Sequence, residues 1–241
     1  MVKIRLLNNI QFIFSVFWTF RYYAVAATVA LVFWESPFIK PFRVFVVLVH
    51  EVNHALMALA TGGEVLEIRT FWDESGHALT SGGIVPLICS AGYVGSAMWG
   101  ALMIYSNLFI GLQRMVLMLV GITCTIMSLI YGSMGTLDFF FGAGIGILIA
   151  ILALISAKCA RICSIWIGTM LCLYSLHDFS TDLLYMPEQT DAGILAIHLG
   201  FSKDFAYLVA YPIASVWVLL SLSAMYRAMR VLVRHERTRG N

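Results

Sequence analysis

Two histidines and a glutamate sit inside an otherwise apolar run, Val47-Leu48-Val49-His50-Glu51-Val52-Asn53-His54-Ala55-Leu56-Met57. The pattern is His-Glu-x-x-His. On a helix, residues four apart share a face, so the imidazoles of His50 and His54 can reach one metal ion. Glu51 stands beside them, placed to take a proton from metal-activated water. Imidazole ligands with one open coordination position suit zinc, which brings the pKa of its water close to neutral. The chemistry such a set performs is peptide-bond hydrolysis. The bare pattern arises often by chance. Inside a membrane helix it is more telling, because ionisable groups are costly there and normally mark a functional site. The competing account is a buried polar cluster that pins helices together.

The chain around the motif has the composition of a membrane protein. Of its 241 residues, 61% are hydrophobic and 12% charged, against about 25% charged in a soluble domain. Seven apolar segments, at 10–34, 42–61, 84–107, 111–132, 137–157, 162–185 and 205–226, approach or exceed the roughly 20 residues that cross a bilayer. Backbone in lipid must satisfy its own hydrogen bonds, so each is expected as a helix. No small-residue cleavage site follows the first segment, so it is expected to stay in the fold rather than to be removed as a signal. The expected fold class is an all-α polytopic membrane protein of about six to seven transmembrane helices. One membrane domain covers 1–226, with its core at about 42–185, and a basic tail follows at 227–241.

Pro37 and Pro41 precede the motif segment and suit a helix start; Gly62-Gly63 follow it and suit a stop. The stretch 62–83 is different in kind. It alternates and carries Val65, Ile68, Thr70, Phe71 and Trp72, good strand formers, around an Asp73-Glu74-Ser75-Gly76 turn signal. A short β-hairpin at about 64–80 is expected, packed against the helices or dipping among them. Gly92, Ser96 and Gly100 are small residues four apart, a spacing that lets helix backbones approach closely. The glycines of Phe141-Gly142-Ala143-Gly144-Ile145-Gly146 are read the same way rather than as a phosphate loop.

Net charge is +2, which selects no acidic or basic partner. Arg227, Arg230, Arg234, Arg237 and Arg239 crowd the end of the chain. A cytoplasmic end beside anionic headgroups explains them better than nucleic acid does, and no nucleic-acid partner is expected. With seven spans, the same bias puts Lys40, Arg43, Arg114, Lys158 and Arg161 on the cytoplasmic side with the C-terminus. The five cysteines lie in or beside apolar segments without Cys-x-x-Cys spacing and are read as free, reduced thiols.

A membrane helix bearing His-Glu-x-x-His, then Gly-Gly, a short hairpin and a small-residue helix, resembles the site-2 protease family of intramembrane zinc metalloproteases. Residues 50–102 are especially similar to its compact peptidase M50B-like branch. The resemblance implies a zinc-dependent endopeptidase that cuts transmembrane protein substrates within the lipid bilayer. His50 and His54 would then be zinc ligands and Glu51 the general base. It also implies a third ligand, an aspartate on a later membrane helix, usually within Asn-Pro-x-x-Pro-x-x-x-x-Asp-Gly. That motif is absent here. Asp178 and Asp182, four apart on one helix face in 173–184, are the carboxylates expected to supply it, with Asp178 favoured and Asp182 the alternate. The departure from the family motif keeps a non-catalytic relative open. A metal-binding membrane transporter and a membrane hydrolase of soluble substrates stay open as well. The sequence does not bear on oligomeric state, on the substrate's identity or on which membrane holds the chain.

The remaining polar residues rank lower. His177 points away from Asp178 around the helix. His77 belongs to the hairpin turn and is expected to be exposed. Asp191 and His198 fall in a loop expected at 186–204, where solvated side chains are ordinary. Asp138 suits a helix N-terminus. Arg21 is expected to snorkel or to pair with an acid. Asn53 is read as packing or as a donor to substrate backbone.

Overall fold

A computed structural model describes residues 2–185 and 190–239; the side chains of 2–13, 15, 178–185, 236, 237 and 239 lie outside the described set. The described residues are mostly helical, with one two-stranded antiparallel sheet among them. Helix α1 covers Val2–Val32 and α2, the motif helix, Lys40–Ala60. The hairpin follows as β1, Glu64–Thr70, and β2, Gly76–Ser81. Helices α3 (Val85–Ser106) and α4 (Ile110–Tyr131) come next. A continuous span then runs through α5 (Leu137–Phe139), a π-helical stretch (Phe140–Ile145) and α6 (Gly146–Ile155). It leads to α7 (Ala157–Tyr185), α8 (Asp191–His198) and α9 (Lys203–Arg239).

Among the described residues six helical spans are long and apolar enough to cross a membrane, and α1 adds a shorter apolar stretch at Val16–Val32. The protein is a multi-pass integral membrane protein of the expected class. Two details differ from the sequence reading. The stretch 186–204 is not all loop, since α8 lies within it. The basic residues after 226 continue α9 rather than leaving it as a tail. Both have a physical reason. An eight-residue helix is too short to register as a span, and arginine is a good helix former once a helix has been nucleated.

Helix α2 is the most enclosed span, with 78% of its apolar window buried. Its ends are set locally. Pro41 sits in the first turn. At the other end, Gly63 N–H donates to Ala58 O (2.8 Å), Gly62 N–H to Leu59 O (3.3 Å), and Gly62 adopts φ +82°. This is a Schellman stop, which needs the left-handed conformation that glycine accepts freely.

The hairpin pairs Glu64 with Ser81 through Thr70 with Gly76, with an irregularity between Val65 and Glu67. Val65, Ile68 and Thr70 are buried, so β1 turns one face into the helices. The turn is tied to α2: Arg43, buried near the start of the helix, pairs with Glu74 at 3.0 Å. Within it, the Asp73 carboxylate accepts from the Ser75 N–H (3.1 Å) and hydroxyl (2.7 Å). These bonds hold the Asp73 carboxyl below its usual range.

Candidate metal centre

His50 and His54 lie one helical turn apart on the buried face of α2, their rings 4.7 Å between centroids. The ring orientations are fixed from outside the helix. His54 Nδ1 is 2.6 Å from the carbonyl oxygen of Ile88 in the first turn of α3. Only an Nδ1–H can donate to a carbonyl, so Nε2 carries the lone pair and faces the site. Tyr93 of α3 packs edge-on against the His50 ring at 4.8 Å and stacks on Trp217 of α9 at 5.8 Å.

The third group comes from far along the chain. Asp191 Oδ2 lies 3.2 Å from His50 Nε2 and 3.1 Å from His54 Nε2. Asp191 is the first residue of α8. Thr190 caps that helix, its hydroxyl oxygen accepting from Gly193 N–H at 3.1 Å. A carboxylate in the first turn is favoured by the helix dipole. Buried Ala192 and Leu195 join Cys89 and Tyr93 of α3 and Ala210, Ala214 and Trp217 of α9 in one apolar cluster. That packing presses α8, and with it Asp191, onto the histidines.

These three side chains could hold a metal: their donor atoms lie within 4.8 Å of one another. Two features of the geometry fit an ion. Metal–nitrogen and metal–oxygen bonds of about 2.0–2.2 Å around a tetrahedral zinc put neighbouring donors about 3.3 Å apart. The two nitrogen–oxygen separations fall close to that. Second, α3 passes the site at Gly92, and a Cβ there would overlap the Nε2 atoms of both histidines. With no side chain there, α3 leaves both ring nitrogens uncovered. A donor set of two imidazoles and a carboxylate suits zinc or a similar divalent transition metal.

Glu51 is buried beside this set, and no ion pair among the described residues engages its carboxylate. It faces the hairpin. A Cβ at Gly76, the first residue of β2, would come 2.8 Å from Glu51 Oε1. Strand β2 therefore starts against the glutamate, at a residue with no side chain to cover it.

The described polar residues that ranked below the motif have other surroundings. The side chains of Asp178 and Asp182, expected as third ligand and alternate, lie outside the described residues; both belong to α7. His177 packs against Trp34 at 4.7 Å and near Tyr174. His77 and His198 are exposed. Asn53 is occupied, its Nδ2 donating to Ser96 Oγ (3.3 Å) and its Oδ1 accepting from Trp99 Nε1 (3.0 Å), so it pins α2 to α3. Asp138 is fully buried in the first turn of α5 and accepts from the Thr136 hydroxyl at 3.0 Å.

Sequence alone puts Asp191 in a solvated loop; the fold half-buries it against the histidines. The signal that could have found it is modest: threonine before aspartate, ahead of Gly193-Ile194-Leu195-Ala196-Ile197, is a cap, an acidic first turn and an apolar run.

The sequence profile of the family described as peptidase M50B-like matches residues 23–228, and the chain belongs to that family. No curated protein and no solved structure gives a significant match.

Proposed function

We propose that this member of the peptidase M50B-like family is a zinc-dependent intramembrane endopeptidase, with His50, His54 and Asp191 as metal ligands and Glu51 as general base. The observation that carries this reading is the convergence of two Nε2 atoms and one carboxylate oxygen within 4.8 Å of one another, beside a buried glutamate. Zinc held there would polarise the scissile carbonyl and lower the pKa of water.

The chain's own groups do the rest. Glu51 takes a proton from the attacking water and returns it to the leaving amine. The Ile88 carbonyl keeps His54 in the tautomer that presents Nε2. The substrate class is a transmembrane protein segment, in keeping with a centre set on a mostly buried membrane helix.

A helical peptide bond is shielded by its own hydrogen bonds, so the substrate must be opened before it is cut. Strand β2 pairs with β1 on one side only among the described residues, and it begins against Glu51. Substrate backbone added to the hairpin as a further strand would be led to the glutamate. A proline in either strand that left cleavage unchanged would refute this step. The basic end of α9 supports a cytoplasmic C-terminus.

The first experiment is zinc content per chain, by elemental mass spectrometry on detergent-purified protein never exposed to chelator. Near one zinc in the wild type is expected, lost in His54→Ala and Asp191→Ala and kept in Asp178→Ala and Asp182→Ala. Zinc lost with Asp178 or Asp182 and kept without Asp191 would overturn the ligand set. No zinc in any well-folded form would return the cluster to a packing role. Cleavage of transmembrane substrates, with Glu51→Gln as control, then tests the reaction.

A further inference from the structure

At one end of the molecule, four helices meet around a polar cavity of about 250 Å³. They are the middle of α1, the C-terminal end of α3, the first turns of α7 and the last turns of α9. Among the described residues the guanidinium groups of Arg21 and Arg161 and the imidazole of His235 reach it, and no aspartate or glutamate does. The Arg21 guanidinium lies 4.2 Å from the ring centroids of both Trp18 and Tyr22 and donates to Trp18 O. Among the described residues neither Arg21 nor Arg161 forms an ion pair. His235 Nε2 is buried, with no hydrogen-bond partner among those residues. The two guanidinium groups thus face one cavity with no acidic partner among the described residues, and an anionic ligand would supply one.

The cavity does not stand alone. It adjoins a groove of about 520 Å³ between α1 and α7, sharing Tyr22, Arg161 and Ile165 with it. The groove is otherwise apolar, lined by Val25, Val29, Ile162 and Trp166, with Lys158 at its side. Val25 and Ile162 are 61% and 59% exposed there. A cationic cavity continuous with an apolar channel on a membrane helix pair is complementary to an amphiphile with an anionic head.

The geometry points to a binding site for one anionic phospholipid, its phosphate among Arg21, Arg161 and His235 and an acyl chain along the α1–α7 groove. Guanidinium groups bind phosphate oxygens in pairs with charge-assisted hydrogen bonds. Basic pockets between membrane helices are suited to anionic headgroups. A zwitterionic lipid would bring a cationic headgroup toward the same arginines. The site uses none of the metal-centre residues and stands whether or not the chain is a peptidase.

The test is lipid binding to delipidated protein in neutral detergent, read by native mass spectrometry with dioleoyl phosphatidylglycerol and dioleoyl phosphatidylcholine. One phosphatidylglycerol per chain is expected to bind several-fold more tightly than phosphatidylcholine. Removing one cation, as in Arg161→Gln or Arg21→Gln, should weaken it about fivefold. Ile162→Trp, which fills the groove, should weaken both lipids. Arg161 is exposed, so Arg161→Gln should keep the lipid-free melting temperature and decides the matter if Arg21→Gln does not fold. Equal binding of the two lipids, or full phosphatidylglycerol binding in Arg161→Gln, overturns the proposal. Thermal stabilisation by inorganic phosphate alone, matching that by phosphatidylglycerol, would mean a free-anion site and overturn the lipid assignment.

Discussion

Two helix seams in this protein are built on glycine, and they use it differently. Between α4 and α6, Gly121 and Gly146 face each other: a Cβ on either would come 2.5 Å from the other's carbonyl oxygen. Thr125 sits at the same crossing and donates to Gly121 O at 2.8 Å. There glycine brings backbone to backbone, the usual close approach of membrane helices. Between α2 and α3, Gly92 faces the ring nitrogens of His50 and His54 instead. One turn on, Gly95 gives room to Asn53, which is hydrogen-bonded across the seam. The same residue type closes space in one seam and keeps it open in the other. Small-residue spacing alone does not say which; the partner side chains do.

The comparison can be broken by substitution. Gly92→Ala should drive a methyl group into both ring nitrogens, taking zinc content from near one to near zero and abolishing cleavage; zinc retained in this variant would mean that the metal does not need the room the glycine leaves. Asp191→Asn should come next. Removing a ligand is expected to cost more than the 10- to 100-fold in metal affinity typical of an outer-shell partner, measured by competition with a chromophoric chelator. Glu51→Gln should keep the zinc and lower kcat by about 10²–10⁴; zinc lost together with activity would make Glu51 a ligand or a structural group.

Gly76→Ala is a subtler case. Its methyl group would displace the Glu51 carboxylate rather than the metal, so zinc should stay while kcat falls about ten- to hundredfold, the scale of a small misplacement of a reacting group. The smallest effect on activity belongs to the other seam. Gly121→Ala should destabilise the fold by about 1–3 kcal/mol through overpacking, seen as a lower melting temperature in detergent, with zinc per folded chain unchanged. If Gly121→Ala released zinc and Gly92→Ala only lowered the melting temperature, the contrast between the seams would be reversed.

Much of the fold is legible in the sequence because the bilayer leaves few choices. Apolar stretches of about 20 residues must become helices, and the six long spans fall where the hydropathy puts them. Gly62-Gly63 end α2, and the alternating stretch after it folds as the hairpin. The His50 and His54 pairing is legible for a simpler reason: helical geometry alone puts residues four apart on one face.

What the sequence could not determine is who meets that pair. Asp191 lies 141 residues from His50, on a helix of eight residues, and it arrives because apolar side chains of α8 pack into α3 and α9. Asp178 and Asp182 look better by local rules, since their spacing shares one face of a membrane helix. The same limit hides the cationic cavity, whose arginines and histidine come from three helices. Local periodicity determined the spans and the motif. Only tertiary packing, which brings distant residues together through buried apolar area rather than through spacing, decided that Asp191 faces the histidines and that the basic cavity forms.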